Sequence, residues 1–352
     1  MKWMRTLALW GAVLMLLSAC TAQKPPLHAT QSRADDLRAA FLAKADTVTV
    51  SETAVTFSDA LGRICTVPCD PARVIGLYAS YITLWYEAGG RVDGCIGGSS
   101  AVEMYTAQIG RDITADDGMT VVATSAAARK WDVERIIAMQ PSLILCSTAM
   151  DGYSTVEGPA AAAGIAVVAV DYENFEDYLK WFKVFCHLNG RPDLWESVAM
   201  PVLDEVVGLL SDLPAGEAPS VFSMFSDTTA LRANTANTVV GEMLALMGAD
   251  NIADAGQLPA AERIDINLEA VYAADPDCIV VQCHRDAALA RQAVEDTYGD
   301  NPVWQVLRAV REGRVYYLDR ALFHYKPNCR FAEAYRTLAE ILYPGLREHV
   351  GT

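Results

Sequence analysis

The chain has 352 residues, 52% hydrophobic and 20% charged, with a net charge of −16 at neutral pH. That length holds two domains with cores of their own. The acidity excludes a nucleic-acid partner, because tracking phosphates needs clustered Lys and Arg; it serves solubility instead.

In chain order, the first element is an export signal. Lys2 and Arg5 precede an apolar core, Leu7 to Leu17, too short to span a bilayer and closed by small residues. Its ending, Leu17-Ser18-Ala19-Cys20, resembles the lipobox of bacterial lipoproteins. That resemblance implies removal of residues 1–19 and a lipid on Cys20, holding the mature chain on the extracytoplasmic face of the cell membrane. Segment 20–46 reads as a tether followed by a short helix. Thr21 to Ser32 is polar and proline-bearing, and Arg33 to Lys44 carries the helical pattern.

Thr47 to Thr56 alternates as a strand does, Gly62 marks a turn, and a second strand lies near Ile64 to Val67. From Arg73 short apolar strands, Val74–Leu77, Leu143–Cys146 and Ile165–Val170, alternate with helical segments. This predicts a mainly parallel sheet covered by helices, in a first lobe over 47–173. Strand signals stop over 174–213. Phe175 to Asn189 reads as a helix, Gly190 and Pro192 interrupt it, and it resumes from Asp193. A second α/β half, 214–347, begins at the turn Pro214-Ala215-Gly216. The fold class is α/β, two lobes joined by a long helical link.

The halves repeat each other. Glu134 is followed by Ile136, Ala138, Pro141 and Ile144, and Glu269 by Val271, Ala273, Pro276 and Ile279, at the same spacings. A helix running through Pro into a strand is a common joint, but its recurrence before a buried strand in each half marks a pseudo-duplication.

Of nine cysteines, eight remain after Cys20. Cys65 and Cys69 are close enough to pair across a turn, Cys278 and Cys283 flank a strand end, and spacing leaves the connectivity open. Cys146 and Cys278 sit in apolar runs, as small buried hydrophobes do. The chain contains no CxxC, G-x-S-x-G, P-loop, dinucleotide fingerprint or HExxH. Gly94-Cys95-Ile96-Gly97-Gly98 reads as a turn after a strand. Two other classes share such lobes: a tethered metal-cluster enzyme drawing on the cysteines, and a ligand sensor.

Three ordered markers carry a family resemblance over about Val55 to Pro344. The first is Thr56-Phe57-Ser58-Asp59-Ala60-Leu61-Gly62-Arg63 with Val67-Pro68 and Pro71-Ala72-Arg73-Val74-Ile75. The second is the repeated Glu-to-Pro segment. The third is Asn301-Pro302-Val303-Trp304, Gly313-Arg314-Val315 and Leu322-Phe323-His324-Tyr325-Lys326-Pro327-Asn328. Together they resemble the substrate-binding proteins of iron–siderophore, haem and cobalamin ABC importers. The resemblance implies two lobes on one rigid helical link, a metal chelate (a ferric siderophore first, haem or a cobamide as alternatives) held between them, and delivery to a permease dimer. It implies no catalysis and no cofactor of the protein's own. In that family an exposed glutamate on each lobe docks on permease arginines; Glu134 and Glu269 match that position. A glutamate in a first helical turn also favours the helix electrostatically, with or without a partner.

In open parallel sheets ligands sit beyond the carboxyl ends of the strands. That rule selects Tyr78, Ser80 and Tyr81 after the first strand, Ser147, Thr148 and Met150 after the second, and Asp171 and Tyr172 after the third. In the second half it selects Ser226, Asp227 and Arg232, then His284 and Arg285, then Arg320, His324, Tyr325 and Lys326. An aromatic, hydroxyl-rich set with cations on one half suits a bulky, partly anionic chelate. A bare zinc or manganese ion needs several converging His and carboxylate ligands, and only His187, His284 and His324 lie within the lobes. Haem iron takes a Tyr or His axially, and Tyr78, Tyr325, His284 or His324 can serve.

Overall fold

The computed structural model describes residues 27–124, 131–148, 150, 152–214, 216, 218–227, 230–255 and 261–345. The export signal and Cys20 lie outside them. Helix α1 (Leu27–Asp46) is longer than the sequence pattern predicts. No Gly or Pro interrupts its twenty residues. α1 packs on the helical link: the Phe41 and Phe175 rings meet edge to face at 5.1 Å, Lys44 pairs with Asp177 at 2.7 Å, and Arg38 pairs with Asp204.

Strands β1 (Thr49–Val50), β2 (Ala54–Ser58) and β3 (Ile64–Pro68) form a separate antiparallel sheet, with Gly62 at φ +73° in the β2–β3 turn. The first lobe then alternates β4 (Val74–Gly76), α2 (Ala79–Glu87), β5 (Gly94–Ile96), α3 (Ser99–Ile109), β6 (Thr120–Ala123), α4 (Val133–Ala138), β7 (Leu143–Ser147), α5 (Tyr153–Ala162) and β8 (Ala166–Val170). Its five strands are all parallel, in the order β6-β5-β4-β7-β8. β7 is buried at every residue, as a strand covered on both faces must be. Of the glycine-rich run expected as a turn, Gly94–Ile96 is β5 itself and only Gly97 and Gly98 follow it; Gly94 packs so closely beside Ile75 of β4 that a Cβ would lie 3.1 Å from it.

The link runs through α6 (Phe175–Leu188), breaks at Asn189 and Gly190 (φ +63°), and resumes into α7 (Met200–Ser211). The second lobe contains β9 (Ser220–Ser226), β10 (Leu231–Asn234), α8 (Val239–Leu246), β11 (Asp250–Asn251), β12 (Arg263–Ile264), α9 (Leu268–Ala274), β13 (Cys278–Cys283), α10 (Ala287–Tyr298), α11 (Pro302–Val306), α12 (Arg308–Arg311), β14 (Val315–Leu318), α13 (Arg320–Phe323) and α14 (Phe331–Leu342). Here β9, β13, β14 and β11 pair in parallel, while β10 and β12 add antiparallel on one side.

One apolar core runs through both lobes and the link. It joins Val74 and Leu143 of the first sheet to Phe182 and Leu203 of the link and to Val221, Val280 and Leu318 of the second sheet. Phe331 of α14 meets Phe175 at 5.0 Å and Tyr178 at 5.5 Å, so aromatic packing welds the second lobe to the link. Each such pair adds about 0.5–1.5 kcal/mol beyond the area it buries. The opposite face of the second sheet has its own core, centred on Phe222, Ile279 and Trp304.

All eight described cysteines are free thiols. Cys65 and Cys69 lie four residues apart along β3 and its end, which puts them about 13 Å apart, beyond bridging reach. Cys278 and Cys283 occupy opposite ends of β13 for the same reason. Cys146 and Cys278 are fully buried.

Candidate functional site

The second lobe supplies a buried polar floor. Asn234 Nδ2 donates to Gln282 Oε1 at 3.0 Å, Gln282 Nε2 donates to the Phe323 carbonyl at 2.5 Å, and Asn251 Nδ2 donates to the Asn234 carbonyl at 2.8 Å. These side chains are buried, where losing a partner costs far more than a surface bond is worth. The network fixes the Phe323 carbonyl and with it the turn that carries His324 and Tyr325. Asp319 caps the preceding helix, accepting from Ala321 N at 2.6 Å.

Above that floor stands an aromatic and cationic wall. The His284 and His324 rings lie 4.5 Å apart, with Phe225 about equally far from both, at 6.2 and 6.1 Å. The Arg263 guanidinium covers the Phe225 ring at 4.2 Å, and Arg320 covers Tyr325 at 4.5 Å. In the first lobe Tyr78 and Tyr81 meet at 4.8 Å and the buried Tyr81 hydroxyl donates to Ser147 Oγ at 3.3 Å. A cavity of ≈ 410 Å³ opens between Glu103 and Ala107 of α3 on one side and Arg285, Arg320 and Tyr325 on the other.

The lobes also touch across this cleft. Glu103 pairs with Arg320, Glu173 with Lys326 at 2.6 Å, and Gln108 Nε2 donates to the Lys326 carbonyl at 2.6 Å. Deeper in, the Tyr172 hydroxyl donates to Asn328 Oδ1 at 3.1 Å, and Asn328 Nδ2 donates to Thr83 Oγ1 at 3.4 Å.

Burial, then the neighbouring His284, Arg320 and Arg263, pushes His324 down to about 3, and burial lowers His284 as well. Both imidazoles are therefore neutral at neutral pH, each with a nitrogen lone pair to offer. Burial pushes the Tyr325 phenol up to about 12, so it stays protonated. Of the buried side-chain atoms without a hydrogen-bond partner among the described residues, Gln108 Oε1, Arg263 Nε and Arg320 Nε lie at the cleft, Asn234 Oδ1 in its floor, and Tyr86 Oη, Asp116 Oδ2 and Ser211 Oγ elsewhere; the Tyr325 hydroxyl stands beside Glu103 without a bond of ordinary geometry. Buried polar atoms are nearly always satisfied, so orphans gathered at one cleft need an explanation. No three His, Cys, Asp or Glu side chains converge as a metal site among the described residues.

The model of a family described as periplasmic binding protein matches residues 74–322. The chain belongs to the periplasmic binding protein family. Members are binding proteins rather than enzymes, and they act outside the cytoplasm. No helix among the described residues is long and apolar enough to cross a membrane. A search of curated proteins by sequence finds no match. Three solved structures share the fold at low identity. A possible iron-binding solute-binding protein from Staphylococcus epidermidis ATCC 12228 is 18% identical, with TM-score 0.60 over 78% of this chain and 99% of that one. The haem-binding protein RhuT from Roseiflexus sp. RS-1 is 23% identical, with TM-score 0.58 over 77% and 98%. The vitamin B12 binding protein BtuF of Vibrio cholerae is 15% identical, with TM-score 0.60 over 80% and 100%.

In this periplasmic binding protein the residues selected from sequence divide into three groups. Half-buried His284 and His324 come together with Tyr325 at the cleft, half-buried Lys326 joins it through Glu173, and half-buried Tyr78 lies against Tyr81 in the first lobe. Arg232 and Arg285 are exposed at its margin, Arg232 paired with Asp265 at 3.3 Å, and Thr148 is exposed at the end of β7. Ser80, Tyr81, Tyr172 and Ser226 are buried, Tyr172 in the contact with Asn328 that joins the lobes. Sequence reasoning missed Phe225, Arg263, Glu103, Glu173 and Gln108. Arg263 lies on a two-residue antiparallel strand that no periodicity reveals, so the carboxyl-end rule passes over it.

Glu134 and Glu269 are both exposed in the first turns of α4 and α9. The two segments match in detail. Asp132 caps the first by accepting from Arg135 N at 3.0 Å, and Asn267 caps the second by accepting from Ala270 N at 3.1 Å. Each leaves its helix through a left-handed residue before the proline, Gln140 at φ +48° and Asp275 at φ +43°.

Proposed function

We propose that this protein is the substrate-binding component of an ABC importer, capturing a metal chelate, a ferric siderophore, between its lobes and delivering it to a permease dimer. The observation that carries the reading is the group of orphaned polar atoms at the cleft, Gln108 Oε1, Arg263 Nε and Arg320 Nε, set among Phe225, His284, His324 and Tyr325. An aromatic wall with few convergent polar groups suits a bulky ligand of mixed polarity. A lipid on Cys20 keeps the loaded protein near its permease, and Glu134 and Glu269, one on each lobe, dock on it. One exposed carboxylate per lobe, in matching frames, suits a partner built with two-fold symmetry. The His284–His324 pair favours one second reading, haem, whose iron accepts an axial imidazole.

Thermal melting of the mature protein with ferric siderophores, haem and cobamides tests this. A ligand at about a hundred times its Kd stabilises by about 2.7 kcal/mol, so the right chelate raises Tm by several degrees. If no member of the panel raises Tm, the cleft is not a chelate site.

A further inference from the structure

Resting on the chelate reading, we infer that the cleft selects a chelate with little or no net negative charge, a ferric tris-hydroxamate rather than a tris-catecholate or haem. The inference comes from how the cleft cations are already engaged, other than Arg285, which is exposed and unpaired among the described residues. Arg320 is paired with Glu103 and Lys326 with Glu173, each carboxylate reaching over from the first lobe. Arg263 is paired with Glu262 at 3.2 Å, and Arg232 with Asp265 at 3.3 Å. Asp227 adds a further carboxylate beside His284 and His324, and both imidazoles are neutral.

A polyanionic chelate therefore faces a poor choice. Drawing Arg320 and Lys326 to itself strands Glu103 and Glu173 next to its own charge, and leaving them in place sets like charges side by side. Where the bound chelate excludes water from these half-exposed carboxylates, either arrangement is unfavourable. An uncharged chelate meets no such conflict. Arg320 holds Glu103 through Nη1, so its orphaned Nε remains as a donor, and Arg263 likewise keeps Nε while Nη1 holds Glu262. Hydroxamate oxygens can accept from these donors and from the Tyr325 hydroxyl with every ion pair intact. Three hydroxamates cancel the charge of ferric iron, three catecholates leave a surplus of negative charge, and haem carries two propionates.

The test is equilibrium titration of the mature protein and its Glu103→Gln/Glu173→Gln variant with ferrichrome, ferric enterobactin and haemin. Both glutamates are more than half exposed, so the variant keeps its fold. The wild type is expected to prefer ferrichrome by at least about tenfold over either anion. The variant should improve the anionic probes by about tenfold while moving ferrichrome less than about threefold. Tighter wild-type binding of enterobactin or haemin overturns the inference, as does a variant that leaves the preference unchanged. If neither protein binds any probe, the chelate reading itself falls and takes this inference with it.

Discussion

The two lobes share a frame and differ at its edge. Each places a capped helix, an exposed glutamate, a left-handed residue and a proline before a buried central strand. Each central strand pairs in parallel with the first strand of its lobe, β7 with β4 and β13 with β9. Yet the first sheet is wholly parallel, while the second adds β10 and β12 antiparallel and so brings Arg263 over Phe225. The second lobe contributes cations and imidazoles to the cleft, and the first contributes the carboxylates Glu103 and Glu173. Both lobes keep what positions the strands and the exposed glutamates. The residues at the cleft edges do not match.

The most severe test of that equivalence reverses the charge of both exposed glutamates, the pair proposed to dock. Glu134→Arg with Glu269→Arg should abolish uptake while the chelate Kd stays within about twofold, because neither residue lies at the cleft. Uptake that survives removes the docking role. Next in size is Gln282→Leu, which leaves the Phe323 carbonyl buried without its partner and takes one acceptor from Asn234 Nδ2, which keeps the Met224 carbonyl and Ser223 Oγ. Urea unfolding should show a loss of about 1–3 kcal/mol, and chelate affinity should fall because the His324 turn loosens. Smaller still, Asp132→Ala and Asn267→Ala should each cost about 1 kcal/mol. Equal costs support matched frames; a cap that matters in only one lobe breaks the match.

The pattern of short apolar strands was enough to locate β4, β7 and β8 to within a residue or two, because largely buried strands announce themselves locally. The Glu-to-Pro repeat was legible for the same reason. What local pattern cannot carry is the pairing of residues far apart in the chain. Glu103 meets Arg320 across 217 positions, and Glu173 meets Lys326 across 153. The cations of the second half were visible in the sequence; that carboxylates of the first half neutralise them was not. The cysteine pairs erred in the opposite sense, since nearness in sequence along an extended strand is distance in space.

The lobes should also part in their response to pH. Burial pushes the Glu87 carboxyl of the first lobe up to about 7, from 4.5. It accepts from the Tyr178 hydroxyl at 3.1 Å, and Asn328 and Cys329 also face it. Between those pH values the folded chain keeps a proton that the unfolded chain has released, so stability falls as pH rises through the window. His324 in the second lobe works the other way. Its value falls from 6.5 to about 3, so the unfolded chain takes up a proton first and stability falls as pH drops through that range. Urea midpoints across the acid-to-neutral range should show Glu87→Gln flattening the alkaline limb and His324→Gln the acid limb, each a modest effect. Either limb unchanged in its variant would assign that pH dependence elsewhere.

The central claim is that the cleft between unlike edges holds the ligand while the like frames hold the permease. Calorimetric titration with the chelate that raises Tm tests it directly, using Arg263→Ala, His324→Ala and the double charge reversal at Glu134 and Glu269. The account predicts at least about a tenfold loss of affinity in each cleft variant and wild-type affinity in the docking variant. Cleft variants that bind as wild type does would contradict it.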